Sequence, residues 1–168
     1  MADDIVVRDA RADDAAGIAR IILDNGARYQ RLAPDLFQPP AEEGLVDFIG
    51  TDSDWRDAPS NLALVALLDG DVAGYLEASI HEPLETARYQ TQRELAHRRL
   101  AISFVGTADA YKRRGVATQL VDAAEAWGRK HRAVVAVCDT WLGSPMSVPF
   151  WEERMGYTRH AVILRKRL

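Results

Sequence analysis

The most constraining stretch of this chain is the junction from Leu100 to Trp127. An apolar strand, Leu100 to Thr107, enters a basic loop, Lys112-Arg113-Arg114, which opens into a helix at Gly115. From there Val116, Leu120, Ala123, Ala124 and Trp127 recur at steps of three and four, facing away from Gln119, Asp122 and Glu125. That period marks an amphipathic helix whose apolar stripe must be covered by another element. A strand feeding directly into such a helix is the building unit of an α/β fold.

The remaining elements agree with that class. Ile5 to Arg8 predicts a first strand. Asp13-Asp14 stands before Ala15, Ile18, Ala19 and Ile22, an apolar set at helical spacing that predicts a helix to about Arg31. Pro34, Pro39 and Pro40 break the chain before a second short helix, expected over Glu42 to Ile49 and stopped by Gly50. Asn61 to Leu68 and Asp71 to Ile80 read as strands joined by Asp69-Gly70, a hairpin signal. His81 to Arg99 is polar and weakly helical. Ala133 to Thr140 is a continuous apolar strand, as expected where both faces are covered. A short helix over Ser147 to Met155, closed by Gly156, precedes a final strand over Tyr157 to Arg167. The order predicts an α/β class with a mixed sheet. No repeat or linker divides the chain, so a single domain over residues 1–168 is expected.

Composition narrows the function classes. With 168 residues, 48% hydrophobic and 27% charged, the chain suits a soluble globular protein with a real core. A formal charge of -4 argues against a nucleic-acid surface. The start, Met1-Ala2-Asp3-Asp4, lacks the basic and apolar regions of a secretory signal, and no apolar run is long enough to span a bilayer. The single cysteine, Cys138, fits a reducing compartment, so a cytoplasmic protein is expected. Its place in an apolar strand makes it an inert core thiol. The four histidines show no ligand spacing and no cysteine pair exists, so no metal is expected.

The basic loop carries the chemistry. The first N–H groups of a helix lack internal partners and sit at the positive end of its dipole, where they cradle phosphate. Gly115 and Ala117 are small enough to let a ligand approach. Three cations at a helix N-terminus are unfavourable alone, so a polyanionic partner would compensate them. The competing reading is a solvated basic turn. Nucleoside-triphosphatase and dinucleotide motifs are both missing.

At this point the sequence resembles the GNAT superfamily of acetyl-CoA-dependent N-acetyltransferases. Its motif, Arg/Gln-x-x-Gly-x-Gly/Ala between fourth strand and third helix, is matched by Lys112-Arg113-Arg114-Gly115-Val116-Ala117, with Lys in the first place. A second hallmark, an aromatic pair followed by charges and Gly-aromatic, is matched by Phe150-Trp151-Glu152-Glu153-Arg154-Met155-Gly156-Tyr157. The resemblance implies a mostly antiparallel central sheet, helices on both faces, and splayed fourth and fifth strands. It implies acetyl-CoA as co-substrate, with its pyrophosphate on the backbone from Arg113 through Thr118, beside Lys112, Arg114, Gly115, Val116 and Ala117. Val105, Gly106 and Thr107 would run along the pantetheine arm, and Ser144, Phe150 and Trp151 would line its thiol end.

The implied reaction moves acetyl from the thioester to a primary amine, through a tetrahedral intermediate. A backbone N–H of Val105 or Gly106, at the bulged end of the fourth strand, is implied to polarise the carbonyl. Where many relatives carry a tyrosine acid, this chain has Trp151, whose indole is a donor but no usable acid. The thiol then leaves as thiolate, another group serves, or the protein binds acyl-CoA without fast catalysis. Glu77 and Asp139 are the nearest candidate bases; an exposed strand residue and a strand-end cap are their ordinary alternatives. His81 has a suitable pKa range but also reads as a plain loop histidine. The acceptor is expected to meet Asn25 to Phe48 or His81 to Arg99. There Tyr29, Asp35, Phe37 and Glu43 would suit a cationic small-molecule amine; a protein amine is the alternative. The resemblance also allows a homodimer, with no nucleic acid and no membrane as partner.

Overall fold

The alternation of the first strands sets the two-faced architecture. The computed structural model describes residues 4–166, apart from the side chains of residues 53 and 54. β1 (Val6–Asp9), β2 (Asn61–Leu68), β3 (Asp71–His81) and β4 (Arg99–Thr107) lie antiparallel in chain order. β5 (Val135–Cys138) joins β4 in parallel. Asp69 and Gly70 take φ of 57° and 89°, the left-handed pair that a two-residue hairpin of matching twist requires. Along β2, Leu62, Leu64, Ala66 and Leu68 face one layer, and Ala63 and Val65 the other.

Each layer has its own helix. α4 (Val116–Lys130) sets Val116, Leu120, Val121 and Ala124 into the first. α1 (Ala15–Leu32) sets Ile18, Ala19 and Ile21 into the second. The sheet is thus mixed, mostly antiparallel and covered on both faces, which is why β2 and β3 read as near-continuous apolar runs. Asp14 ties the start of α1 to β1: it takes two hydrogen bonds from Arg8, at 2.7 and 2.8 Å, and one from the Arg11 N–H at 2.8 Å.

Several boundaries differ from expectation. α2 (Leu45–Thr51) starts after Glu42 and Glu43 because Gly44, at φ 76°, turns the chain into the helix; Gly50 lies inside it. A further turn, α3 (Ser53–Arg56), precedes β2. The polar stretch before β4 forms two single 3₁₀ turns, Ala87–Tyr89 and Arg93–Ala96. β5 keeps only the four residues that β4 pairs with. α5 (Ser147–Pro149) runs on as a π turn, Phe150–Arg154, and Gly156 follows at φ 75°.

The final strand is not formed. Residues 157–166 join no ladder, and Arg167 lies outside the described residues. An apolar extended sequence supplies one side of a strand pair only; the partner edge must come from elsewhere in the fold.

The splay between β4 and β5 is present. Their ladder runs from Arg99 opposite Val135 to Ile102 opposite Cys138 and stops, while Ser103 to Thr107 continue beside β3 alone. A bulge marks the parting point. Ile102 pairs with Ala78 and Phe104 with Glu77, leaving Ser103 as the extra residue. The extra residue shifts the phase of the strand. Ile102 and Val105 both face the α4 layer, and Phe104 faces the α1 layer.

Candidate active site

The loop between β4 and α4 is pinned from two sides. From α1, Asp24 accepts from the Asp109 N–H at 3.1 Å, and Arg28 pairs with the Asp109 carboxylate at 2.6 Å. Lys112 reaches the same carboxylate at 2.5 Å. Hydrogen bonding from Lys112, then from Arg28, holds the Asp109 carboxyl below its ordinary range. From the β2–β3 hairpin, Asp71 accepts from the Tyr111 phenol at 2.7 Å, and Asp69 pairs with Arg114 at 3.4 Å. These acids supply part of the compensation that the basic loop needs. Arg113 is exposed and takes φ 62°; among the described residues it has no carboxylate partner.

The helix start is uncapped. Gly115 sits at φ 87°, and a Cβ built on it would meet nothing within 4 Å. Its glycine therefore answers the left-handed turn, and the space beyond it is open. No side chain among the described residues caps α4, and Gln119 N–H to the Gly115 carbonyl, at 3.1 Å, closes its first turn. The N–H groups of Val116, Ala117 and Thr118 precede that bond, at the positive end of a 15-residue helix. Gly74 lets the helix end sit flush on the sheet, since a Cβ there would fall 2.4 Å from Val116 Cγ1 and 2.9 Å from Leu120 Cδ1. The Val116 side chain is thus core, and only its N–H faces the loop's chemistry.

The other expected residues fall around the splay. Thr107, Gly106 and Val105 pair with Gly74, Tyr75 and Leu76 on the β3 side, past the end of the β5 ladder. Glu77 is half-buried opposite Phe104 and accepts from the Tyr75 phenol at 2.7 Å. Burial, then the Glu77 charge, raise the Tyr75 pKa, so Tyr75 stays a donor. Asp139 is exposed at the end of β5. Burial, then the charge of Asp139, push the neighbouring Cys138 thiol up to about 12. Ser144 is buried and accepts from the Ser147 N–H at 3.1 Å, which caps α5. Trp151 is only 6% exposed and packs in the α4-side core, its ring 5.1 Å from Phe150 and 4.8 Å from Tyr157.

One group of residues escaped the sequence reading. Asp24, Arg28 and Asp109 clamp the loop across 81 positions of sequence between the last two, and no local pattern joins them. Trp141, from the segment after β5, meets Tyr29 of α1 and Phe37 at centroid distances of 6.2 and 5.4 Å, and those two rings lie 5.0 Å apart. The Tyr29 hydroxyl also lies 2.8 Å from Ser147 Oγ. Tyr29 and Phe37 belong to the expected acceptor segment, and Trp141 closes their cluster from the far side of the splay.

A sheet that parts beside an uncapped helix N-terminus suits an acyltransferase, gripping an anionic carrier at the helix and admitting its arm between strands. The model of the Acetyltransferase (GNAT) family matches residues 15–157, and the chain belongs to that family. Solved structures agree at the level of fold. A transcriptional regulator from Bacillus halodurans C-125 superposes with a TM-score of 0.74 at 18% identity, covering 98% of this chain and 99% of the other. Aminoglycoside N-acetyltransferase AAC(6')-Iy, in complex with CoA, gives 0.66 at 16% identity over 100% and 98% of the two chains. The aminoglycoside acetyltransferase meta-AAC0020 from an uncultured soil metagenomic sample, in complex with sisomicin, gives 0.64 at 13% over 98% and 95%. No curated protein sequence matches the chain. No helix among the described residues is long and apolar enough to cross a membrane.

Proposed function

We propose that the chain transfers an acetyl group from acetyl-CoA to a primary amine of a small molecule. The observation that carries this reading is the uncapped α4 N-terminus beside the parted strands. The N–H groups from Arg113 through Thr118 hold the pyrophosphate, and the Arg113 guanidinium adds a cation that no carboxylate of the loop engages. Val105 to Thr107 run along the pantetheine arm, where β5 no longer pairs. Phe150 borders the thiol end.

The transfer forms one N–C bond and breaks one C–S bond. An alkyl ammonium, with a pKa near ~10.4, must first lose a proton. Glu77 takes it through a water, its carboxylate oriented by the Tyr75 phenol. The Val105 N–H polarises the thioester carbonyl. Sulfur leaves as thiolate, which a thiol pKa near ~8.5 tolerates, so no acid is asked of Trp151. The core position of Trp151 supports that assignment. The cluster of Tyr29, Phe37 and Trp141 supports an acceptor site of aromatic character, and aminoglycoside acetyltransferases among the structural neighbours support a small-molecule amine.

Thermal unfolding with and without acetyl-CoA tests the reading. Ligand at 100 times its dissociation constant adds about 2.7 kcal/mol of stability. In Ala117→Glu the new carboxylate suits the helix dipole, so the fold persists, while it repels pyrophosphate. The expected result is a shift in the wild type that the variant loses. A wild type without a shift refutes acetyl-CoA use, and a shift followed by no thiol release with any amine refutes the transfer.

A further inference from the structure

The α1 layer covers only part of its face of the sheet. Its cluster takes Ala63, Val65, Tyr75 and Phe104 from the strands, and nothing from beyond the row where Ala63 pairs with Glu77. Past Glu77 the same face carries Ser79 and His81 on β3, Arg99 and Ala101 on β4, and Val135 and Val137 on β5. Their neighbours Ile80, Leu100, Ile102 and Ala136 all turn to the α4 layer, and side chains alternate along a strand. Register stacks these residues in two rows, His81 with Arg99 and Val135, and Ser79 with Ala101 and Val137. Ser79 and Ala101 are small and only partly covered. The middle row is therefore a shallow floor, leading from the Glu77 carboxylate and the parted strands to Arg99.

Arg99 is the anomaly on this shelf. It is half-buried, and its Nε is shut off from solvent without an acceptor. Among the described residues its guanidinium makes no hydrogen bond and no ion pair. Arg98 beside it shows the ordinary outcome, pairing with Glu82 at 2.8 Å and with the His131 carbonyl at 3.2 Å. A buried N–H donor with no acceptor costs free energy, more so when it is charged. The planar guanidinium fork matches a carboxylate, two N–H groups to two oxygens.

We propose that Arg99 sets the specificity of the acceptor site, by binding the carboxylate of an acceptor whose amine lies at Glu77. The assignment rests on the acetyl transfer proposed above and adds the acceptor's class, an amine that carries a carboxylate several bonds away. His81, the partner of Arg99, stands four residues from Glu77 along β3, about 13 Å of strand. Between them Ser79 and Ala101 present no large side chain to block an alkyl chain. An acid waits at the amine end of the shelf and an unpaired cation at the other. That order suits a dipolar acceptor and opposes a diamine.

Thiol release from acetyl-CoA with ε-aminocaproate, hexylamine and hexamethylenediamine tests this, since the three share one alkyl amine and differ at the far end. Wild type is expected to use ε-aminocaproate with a kcat/KM roughly ten- to a hundredfold above the other two. Arg99→Met keeps the aliphatic stem and removes the charge. It should erase the preference by raising the KM for ε-aminocaproate, with hexylamine turnover and the KM for acetyl-CoA unchanged. Arg99→Lys should restore part of the preference, and Arg99→Glu should turn it toward the diamine; circular dichroism checks that each variant folds. A wild type indifferent to the carboxylate, or one that prefers the diamine, overturns the proposal. So does an Arg99→Met that slows all three amines alike. Proton–nitrogen NMR of the Arg99 Nε–H, in CoA-loaded protein, reads the site without turnover, and ε-aminocaproate should move that signal. A signal that moves while no amine releases thiol refutes the transfer and keeps the Arg99 site. Turnover without any carboxylate preference refutes the Arg99 site and keeps the transfer.

Discussion

Glu77 and Asp14 are two buried or half-buried acids with different work. Glu77 is oriented by one neutral donor, the Tyr75 phenol, and one carboxylate oxygen is left for a water or an amine. Replacing it by Gln keeps the shape and the Tyr75 contact while removing the proposed base. Glu77→Gln is expected to lower kcat by about a hundredfold or more at neutral pH, with the KM for acetyl-CoA little changed. Steady-state kinetics across pH checks this, since the loss should shrink as pH rises and the amine deprotonates on its own. Asp14 instead serves the fold. The Arg8 hydrogen bonds, opposed by burial and aided by the Arg11 N–H, hold its carboxyl below the usual range. A depressed carboxyl stabilises the fold above its unfolded pKa of about 3.9, and that part is lost as pH falls through the folded value. Asp14→Asn should cost about 2 kcal/mol at pH 7 in urea unfolding, and the gap to wild type should narrow below about pH 4. The sequence marks Asp14 as an acid before a helix; its bond to Arg8 needed β1 and α1 in place.

Among the elements, those carried by local pattern were legible and those needing a distant partner were not. The Asp69-Gly70 turn, the apolar stripe of α4 and the left-handed Gly156 each write their conformation into a few adjacent residues. The bulge at Ser103 has no such mark, because it exists only in the register between β3 and β4. The tail after Gly156 has the composition of a strand but pairs with no sheet edge among the described residues. Gly74 shows how an element far from the loop positions it. It lies in the middle of the sheet, and its missing Cβ is where Val116 and Leu120 of α4 rest. Gly74→Ala overpacks that contact and should cost about 1–3 kcal/mol. It should also lift the α4 N-terminus and weaken acetyl-CoA binding several-fold, measured by calorimetry. A stability loss with unchanged affinity would show that the helix end is set by its loop clamps, Asp109 and Asp71, instead of by the sheet.

At the scale of the whole molecule, the sheet separates two cores whose buried side chains are distinct, with the half-buried Tyr111 touching both. Leu120 is fully buried on the α4 side and Ile18 is almost fully buried on the α1 side. Truncating either to Ala removes buried apolar volume and should cost about 2–5 kcal/mol, more where the site cannot collapse. The two residues lie in different clusters on opposite faces of the sheet, so the double variant should lose the sum of the single losses to within about 0.5 kcal/mol. Urea unfolding of the four proteins, followed by tryptophan fluorescence, reads this directly. Their effects on the site should differ even where their costs agree. Leu120 supports the helix whose N-terminus is proposed to hold the pyrophosphate, whereas Ile18 supports the helix that carries Tyr29. Leu120→Ala should therefore weaken acetyl-CoA binding, and Ile18→Ala should raise the KM of the amine with little change for acetyl-CoA. If both variants weakened both substrates equally, the two faces would be coupled through the sheet, and the division of labour between them would fall.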